Sequence, residues 1–170
     1  MILTTLAPGS YTAIMSSANN TPGVGLVEVY DLSTPLVGQK MIDISTRAAV
    51  GTGDNVLIAG VYVSGSVSKR VLIRAIGPGL APYLSGALAL PQLALFRGTQ
   101  ATPVVQNAGW SVSPDASAIS AASAQVAGLA LTTGDAAMIV SLDPGVAYTA
   151  QVSGVNGSAG ICLVEIYELP

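Results

Sequence analysis

A chain of 170 residues has the length of one domain with room for an appendage, and is long enough to bury a core. Apolar residues make up 51% of it and charged residues only 9%, where about a quarter is usual in soluble domains, so the surface must be built of Ser, Thr, Asn, Gln, Gly and small apolar groups. Six basic residues at a net charge of −3 leave no basic stripe for nucleic acid, and the absence of His removes the commonest general base and most zinc and copper sites. No apolar run reaches the ~18 residues of a membrane-spanning helix.

Ala, Val, Leu and Ile diluted by 19 Gly, 10 Pro and much Ser and Thr suit short strands joined by tight turns, which predicts an all-β fold. At the start, Met1-Ile2-Leu3 runs into Thr4-Thr5-Leu6 without a charged region, so no signal peptide is read there. A short strand, a Pro8-Gly9 turn, a strand from Tyr11 and a Gly- and Asn-rich turn lead to an alternating stretch. In that stretch Leu26, Glu28 and Tyr30 share one face, and Val27 and Val29 the other. Residues 1–32 therefore read as a β-meander, residues 33–40, with Pro35 and Gly38, as a linker, and residues 41–170 as the main domain.

Within that domain strands are predicted at 41–50, 56–64, 70–76, 93–97 and 104–106. Gly51-Thr52-Gly53-Asp54-Asn55 lacks the Lys of a nucleotide loop and the spaced acids of a calcium loop, and reads as a hairpin connection. Ser113-Pro114-Asp115 predicts an N-cap opening a helix over 114–126. Thr132-Thr133-Gly134-Asp135 is a tight turn into the last stretch.

That last stretch repeats the first. Tyr11-Thr12-Ala13 returns as Tyr148-Thr149-Ala150, and Leu26-Val27-Glu28-Val29-Tyr30 as Leu163-Val164-Glu165-Ile166-Tyr167, both at an offset of 137 residues (11 to 148, 26 to 163). Residues 1–32 thus duplicate 138–169, and each copy is predicted to be a meander with one apolar face that must pack against something. The predicted fold is an antiparallel, jelly-roll-like β-sandwich with one flanking helix and an N-terminal meander that duplicates the C-terminal one.

Ile44-Ser45-Thr46-Arg47, Val50-Gly51-Thr52-Gly53-Asp54-Asn55-Val56-Leu57-Ile58, Arg70-Val71-Leu72-Ile73-Arg74-Ala75-Ile76-Gly77-Pro78 and Leu163-Val164-Glu165-Ile166-Tyr167-Glu168-Leu169 resemble a tandem β-domain repeat module of large secreted surface proteins of environmental bacteria. The resemblance implies an extracellular or cell-surface location and a β-domain without an assigned activity.

Several residues could carry chemistry. The carboxylates Glu28, Glu165, Asp43 and Asp54 could in principle form a glycosidase-like pair. Glu28 and Glu165, however, occupy equivalent repeat positions, where one structural role common to both is simpler. Arg70 and Arg74 share a strand face with Leu72, so ion pairs with Glu28 or Glu165 are expected. Cys162, amid apolar neighbours, reads as a core residue. Tyr11, Tyr30, Tyr62, Tyr83, Tyr148, Tyr167 and Trp110 could form a sugar-stacking platform, but the repeat pattern favours core and strand-pair roles. No catalytic, cofactor-binding or metal-binding residues are predicted.

The functional expectation is a non-enzymatic subunit of an extracellular fibre or surface layer that needs no cofactor. Its expected partner is itself, head to tail, through β-strand contacts of Tyr11, Ile14, Leu26, Val27, Val29 and Tyr30. A surface this poor in charge does little to oppose such contact. The alternative is a monomeric carbohydrate-binding or adhesion module whose partner is a glycan.

Overall fold

A computed structural model describes residues 1–32 and 40–170, which fall into two compact units, Met1–Lys40 and Met41–Pro170. Apart from Lys40, the expected linker lies outside the described residues. The larger unit carries eight strands: β1 (Asp43–Val50), β2 (Leu57–Tyr62), β3 (Lys69–Ile76), β4 (Pro91–Arg97), β5 (Val105–Asn107), β6 (Ala136–Leu142), β7 (Ala147–Gly154) and β8 (Gly160–Glu168). One helix, α1 (Ala116–Ser123), lies between β5 and β6.

The strands form two four-stranded antiparallel sheets, ordered β1-β8-β3-β6 and β2-β7-β4-β5. This is an all-β sandwich with jelly-roll strand order. Only β4 and β5 are both consecutive and paired, with Leu93 opposite Asn107. Every other connection between consecutive strands passes from one sheet to the other. The Gly51–Asn55 loop is therefore not a hairpin: β1 lies in one sheet and β2 in the other. Its local turn chemistry is as expected, with Gly53 at φ +62° and the Gly51 N–H donating to the Asn55 carbonyl at 2.6 Å. Turn residues fix the local bend, but which sheet the next strand joins depends on the apolar faces it must cover.

Strand β3 explains the layering. Val71, Ile73 and Ala75 point between the sheets, where they meet Leu93 and Leu95 of β4, Ala150 and Val152 of β7, and Cys162, Val164 and Ile166 of β8. The alternate residue Leu72 joins a second cluster on the outer face with Ile119 and Ala122 of α1, Ala137 and Tyr167. The middle of the first sheet is thus covered on both faces, and β3 is almost fully buried, whereas the edge strand β1 is mostly exposed. On the second sheet Ile58 and Tyr62 face outward and are exposed. Helix α1 is shorter than predicted. Asp115 rather than Ser113 stands at its N-cap, while the Ser113 hydroxyl accepts the Asp115 N–H at 3.2 Å in a turn ahead of the helix.

Residues 138–169 do not form a meander. Their strands β6, β7 and β8 make no ladder with one another: β6 pairs with β3, β7 with β2 and β4, and β8 with β1 and β3. The matching stretch 1–32 contains no strand or helix, only a bend at Pro8-Gly9 and a turn at Ala18-Asn19, and all its residues are exposed. The physical reason follows from the C-terminal copy. A segment whose strands belong to different sheets has no internal hydrogen-bond ladder, so its extended stretches become strands only when a sandwich body supplies their partners.

Candidate functional site

The outer face of the first sheet holds a buried polar centre. Arg74 of β3 lies opposite Glu165 of β8 in register, and is 1% exposed where Glu165 is 4% exposed. The guanidinium grips one carboxylate oxygen twice: Arg74 Nε and Nη2 donate to Glu165 Oε2 at 3.0 and 2.6 Å. The other oxygen, Oε1, accepts the Tyr167 hydroxyl at 2.8 Å. Arg74 Nη1 donates to the Leu129 carbonyl at 3.1 Å, and the guanidinium carbon lies 5.1 Å from the centre of the Tyr167 ring.

Both charges are thus paired and further hydrogen-bonded, which is what burial of an ion pair requires. Gly128, at φ +132°, lets the loop before β6 close over the centre. A Cβ there would stand 2.5 Å from Arg74 Nη2 and 2.7 Å from the Tyr167 hydroxyl. Burial and the Glu165 carboxylate push the Tyr167 hydroxyl well above the usual phenol range. It stays a donor rather than a base.

Asp43 lies opposite Tyr167 at the start of β1, and loss of solvation together with the nearby Glu165 raises its carboxyl above the ordinary 3.8, while Arg74 opposes the shift. A raised native value means that the folded state holds the proton more tightly than the unfolded chain does. Asp43 therefore adds stability when protonated, and that contribution is lost as pH rises through the raised value. Asp43→Asn is expected to raise the urea midpoint at pH 7 and to leave it unchanged below pH 3.8, as two denaturation series would show.

A second polar anchor was not foreseen from sequence. Asp135, fully buried at the end of the loop before β6, accepts the N–H groups of Gly77 and Gly79 on Oδ1 at 2.8 and 3.2 Å. Its Oδ2 accepts the Thr132 N–H and hydroxyl at 2.7 and 2.9 Å. One carboxylate thereby ties the turn after β3 to the turn before β6. The available signal was an acidic residue closing Thr132-Thr133-Gly134-Asp135 directly before an apolar strand, the setting in which a side chain takes up turn N–H groups.

The remaining candidates are scattered. Among the described residues of the larger unit Arg70 has no ion pair with Glu165; it lines a groove of about 290 Å³ with Ala118, Ala122, Gln125 and Leu169. Cys162 is buried between the sheets, and burial, reinforced by the Asp135 charge, pushes its thiol up to about 12, which leaves it unreactive. Tyr148 and Tyr167 are core residues, and the Trp110 indole donates to the Thr132 carbonyl at 2.7 Å. Tyr11, Tyr30, Tyr62 and Tyr83 are exposed. So are Ile14, Leu26, Val27 and Val29 of the N-terminal unit. Among the described residues no three His, Cys, Asp or Glu side chains converge as metal ligands would, and no helix is long and apolar enough to cross a membrane.

Fold and site together define a jelly-roll sandwich with a buried Arg–Glu–Tyr centre and a buried aspartate staple. In comparisons with known proteins, no family model and no curated protein matches the chain.

Proposed function

We propose that the chain is a structural, non-enzymatic subunit of an extracellular fibre or surface layer, in which modules are joined head to tail by β-strand contacts of residues 1–32. The observation that carries this reading is a contrast between repeat-equivalent side chains. Tyr148 is 4% exposed but Tyr11 58%, Val164 1% but Val27 52%, Ile166 4% but Val29 56%, and Leu169 5% but Leu32 76%.

Side chains that form a sandwich interior in one copy are presented to solvent in the other. A run of apolar residues of this kind marks an interaction segment rather than a surface loop. The best-built carboxylates, Glu165 and Asp135, are committed to holding strands and turns together, which supports a structural role over catalysis. The extracellular setting rests on the sequence resemblance. A heterologous contact repeated with one rotation and translation does not close, so joining of this kind yields a filament.

Sedimentation velocity across a concentration series tests the joining. The full chain is expected to form growing oligomers, and deletion of residues 1–32 to leave a folded monomer. Polymerisation of the deletion variant, or a monomeric full chain at high concentration, would overturn self-assembly. In that case the exposed Tyr62 and Tyr83 make glycan titration of the monomer the next measurement.

A further inference from the structure

Residues 1–32 keep the local geometry of the strands they duplicate. Tyr30 donates to Glu28 Oε1 at 2.9 Å, as Tyr167 donates to Glu165 Oε1 at 2.8 Å, although Tyr30 is exposed and Tyr167 buried. Asn20 has φ +54° and its repeat equivalent Gly157 has φ +73°, so the turns between the last two extended stretches share one left-handed position, to which the C-terminal copy adds Asn156 at φ +54°. Beside its Pro-Gly turn each copy also ties back its tyrosine hydroxyl, though in opposite senses: Tyr11 donates to the Ala7 carbonyl at 2.9 Å, and Tyr148 accepts the Asp143 N–H at 3.2 Å.

The core positions are also matched in size. Val152 and Cys162 are both buried between the sheets, and their equivalents are Met15 and Gly25. The end of the flexible Met15 side chain lies where a Cβ on Gly25 would stand. A large and a small residue thus stand where the sandwich core has two of intermediate size, as volume-conserving core substitutions do.

From these correspondences we infer that residues 1–32 are the β6-β7-β8 element of a second sandwich, and that their partner is a five-strand body of the kind formed by residues 41–137. The inference rests on the reading of residues 1–32 as a joining segment and assigns that segment to insertion into an open sandwich rather than to addition to the edge of a closed one, so it does not require copies of the native chain to join one another. Two arguments select this partner. The Glu28–Tyr30 pair reproduces the acceptor half of the buried centre, so it calls for a guanidinium at the position of Arg74, which the body's β3 carries. The body of this chain, moreover, already holds β8 between β1 and β3, and β7 between β2 and β4, and so has no vacant position of its own. The acceptor is therefore a second body, in which the incoming segment supplies a central strand to each sheet and an edge strand to the first.

The test is an extended chain in which a second copy of residues 41–137 is placed directly ahead of Met1 of the full protein, restoring the 137-residue repeat. Hydrogen exchange is read peptide by peptide on this chain and on the native one. The expected result is that residues 1–32 exchange freely in the native chain at low concentration and become at least tenfold protected in the extended chain, whose added residues resist protease. Glu28→Gln in the extended chain should lower protection of the added sandwich while leaving residues 138–169 unchanged. Added residues that stay protease-sensitive or aggregate, or a segment 1–32 that stays unprotected, overturn insertion. Protection of 1–32 that instead appears in the native chain on raising its concentration, without the added body, overturns insertion while keeping joining, by addition to a closed sandwich. A monomeric native chain beside a protected extended one supports insertion and removes self-assembly of the native chain.

Discussion

Replacing Glu165 by alanine is expected to destabilise the sandwich by about 3–5 kcal/mol, measured as the loss in free energy of urea unfolding. The magnitude comes from what the substitution leaves behind. Arg74 is 1% exposed and cannot move to water without opening the loop at Gly128 and Leu129, so its charge would stay buried with only the Leu129 carbonyl and the Tyr167 hydroxyl as acceptors. Glutamine at position 165 retains hydrogen bonds but not the charge, and should fall between alanine and the native residue. Replacing the pair together, by Arg74→Met with Glu165→Leu, removes both desolvation costs and should restore most of the stability, because apolar residues of similar volume can substitute for a buried ion pair. A double variant as unstable as Glu165→Ala would show that the centre contributes through its net attraction, not through the cost of breaking it.

Asp135→Ala should be comparably damaging, by at least about 3 kcal/mol, since each buried donor left without a partner costs roughly 1–3 kcal/mol. Three backbone N–H groups and the Thr132 hydroxyl depend on this one carboxylate. Asp135→Asn keeps an acceptor oxygen but puts an NH₂ group where the second oxygen stood, facing donors on both sides, so it is expected to recover less than half of the loss. The hydrogen-exchange signature differs from that of Glu165→Ala. Protection should fall first at Gly77, Gly79 and Thr132, in the turns flanking β3 and β6, rather than along β8. Native-like protection of those three amides in Asp135→Ala would mean that the turns hold themselves and that the staple is dispensable.

The two residues differ in how far the sequence reveals them. Arg70, Leu72 and Arg74 alternate on one strand face, and a cation on a covered face requires a carboxylate; Glu165 stood in an alternating strand of its own. Residue type and period alone narrowed the choice to a few pairs, though not to the one of two arginines that is buried. That depended on the loop at Gly128 and Leu129, which closes over Arg74, whereas Arg70 lines a groove beside α1. Asp135 does not stand out in the sequence, because a turn aspartate is ordinary. Its importance comes from Gly77 and Gly79, more than fifty positions away.

Local sequence is enough to place the β composition, every strand of the main domain to within a few residues, the flanking helix, the buried character of Cys162 and the duplication of residues 138–169 in 1–32. These are properties of local period, turn chemistry and self-similarity, which act over a handful of neighbours. Which strands pair emerges at the level of the whole fold, and the pairing changes the meaning of the duplication. A meander would have carried its hydrogen-bond ladder within itself. The observed element is three strands shared out between two sheets, and so depends on partners for every rung. Pairing across a sandwich is set by which apolar faces can be covered together, a non-local condition. The same sequence pattern is therefore a set of paired strands in residues 138–169 and an exposed, unladdered segment in residues 1–32.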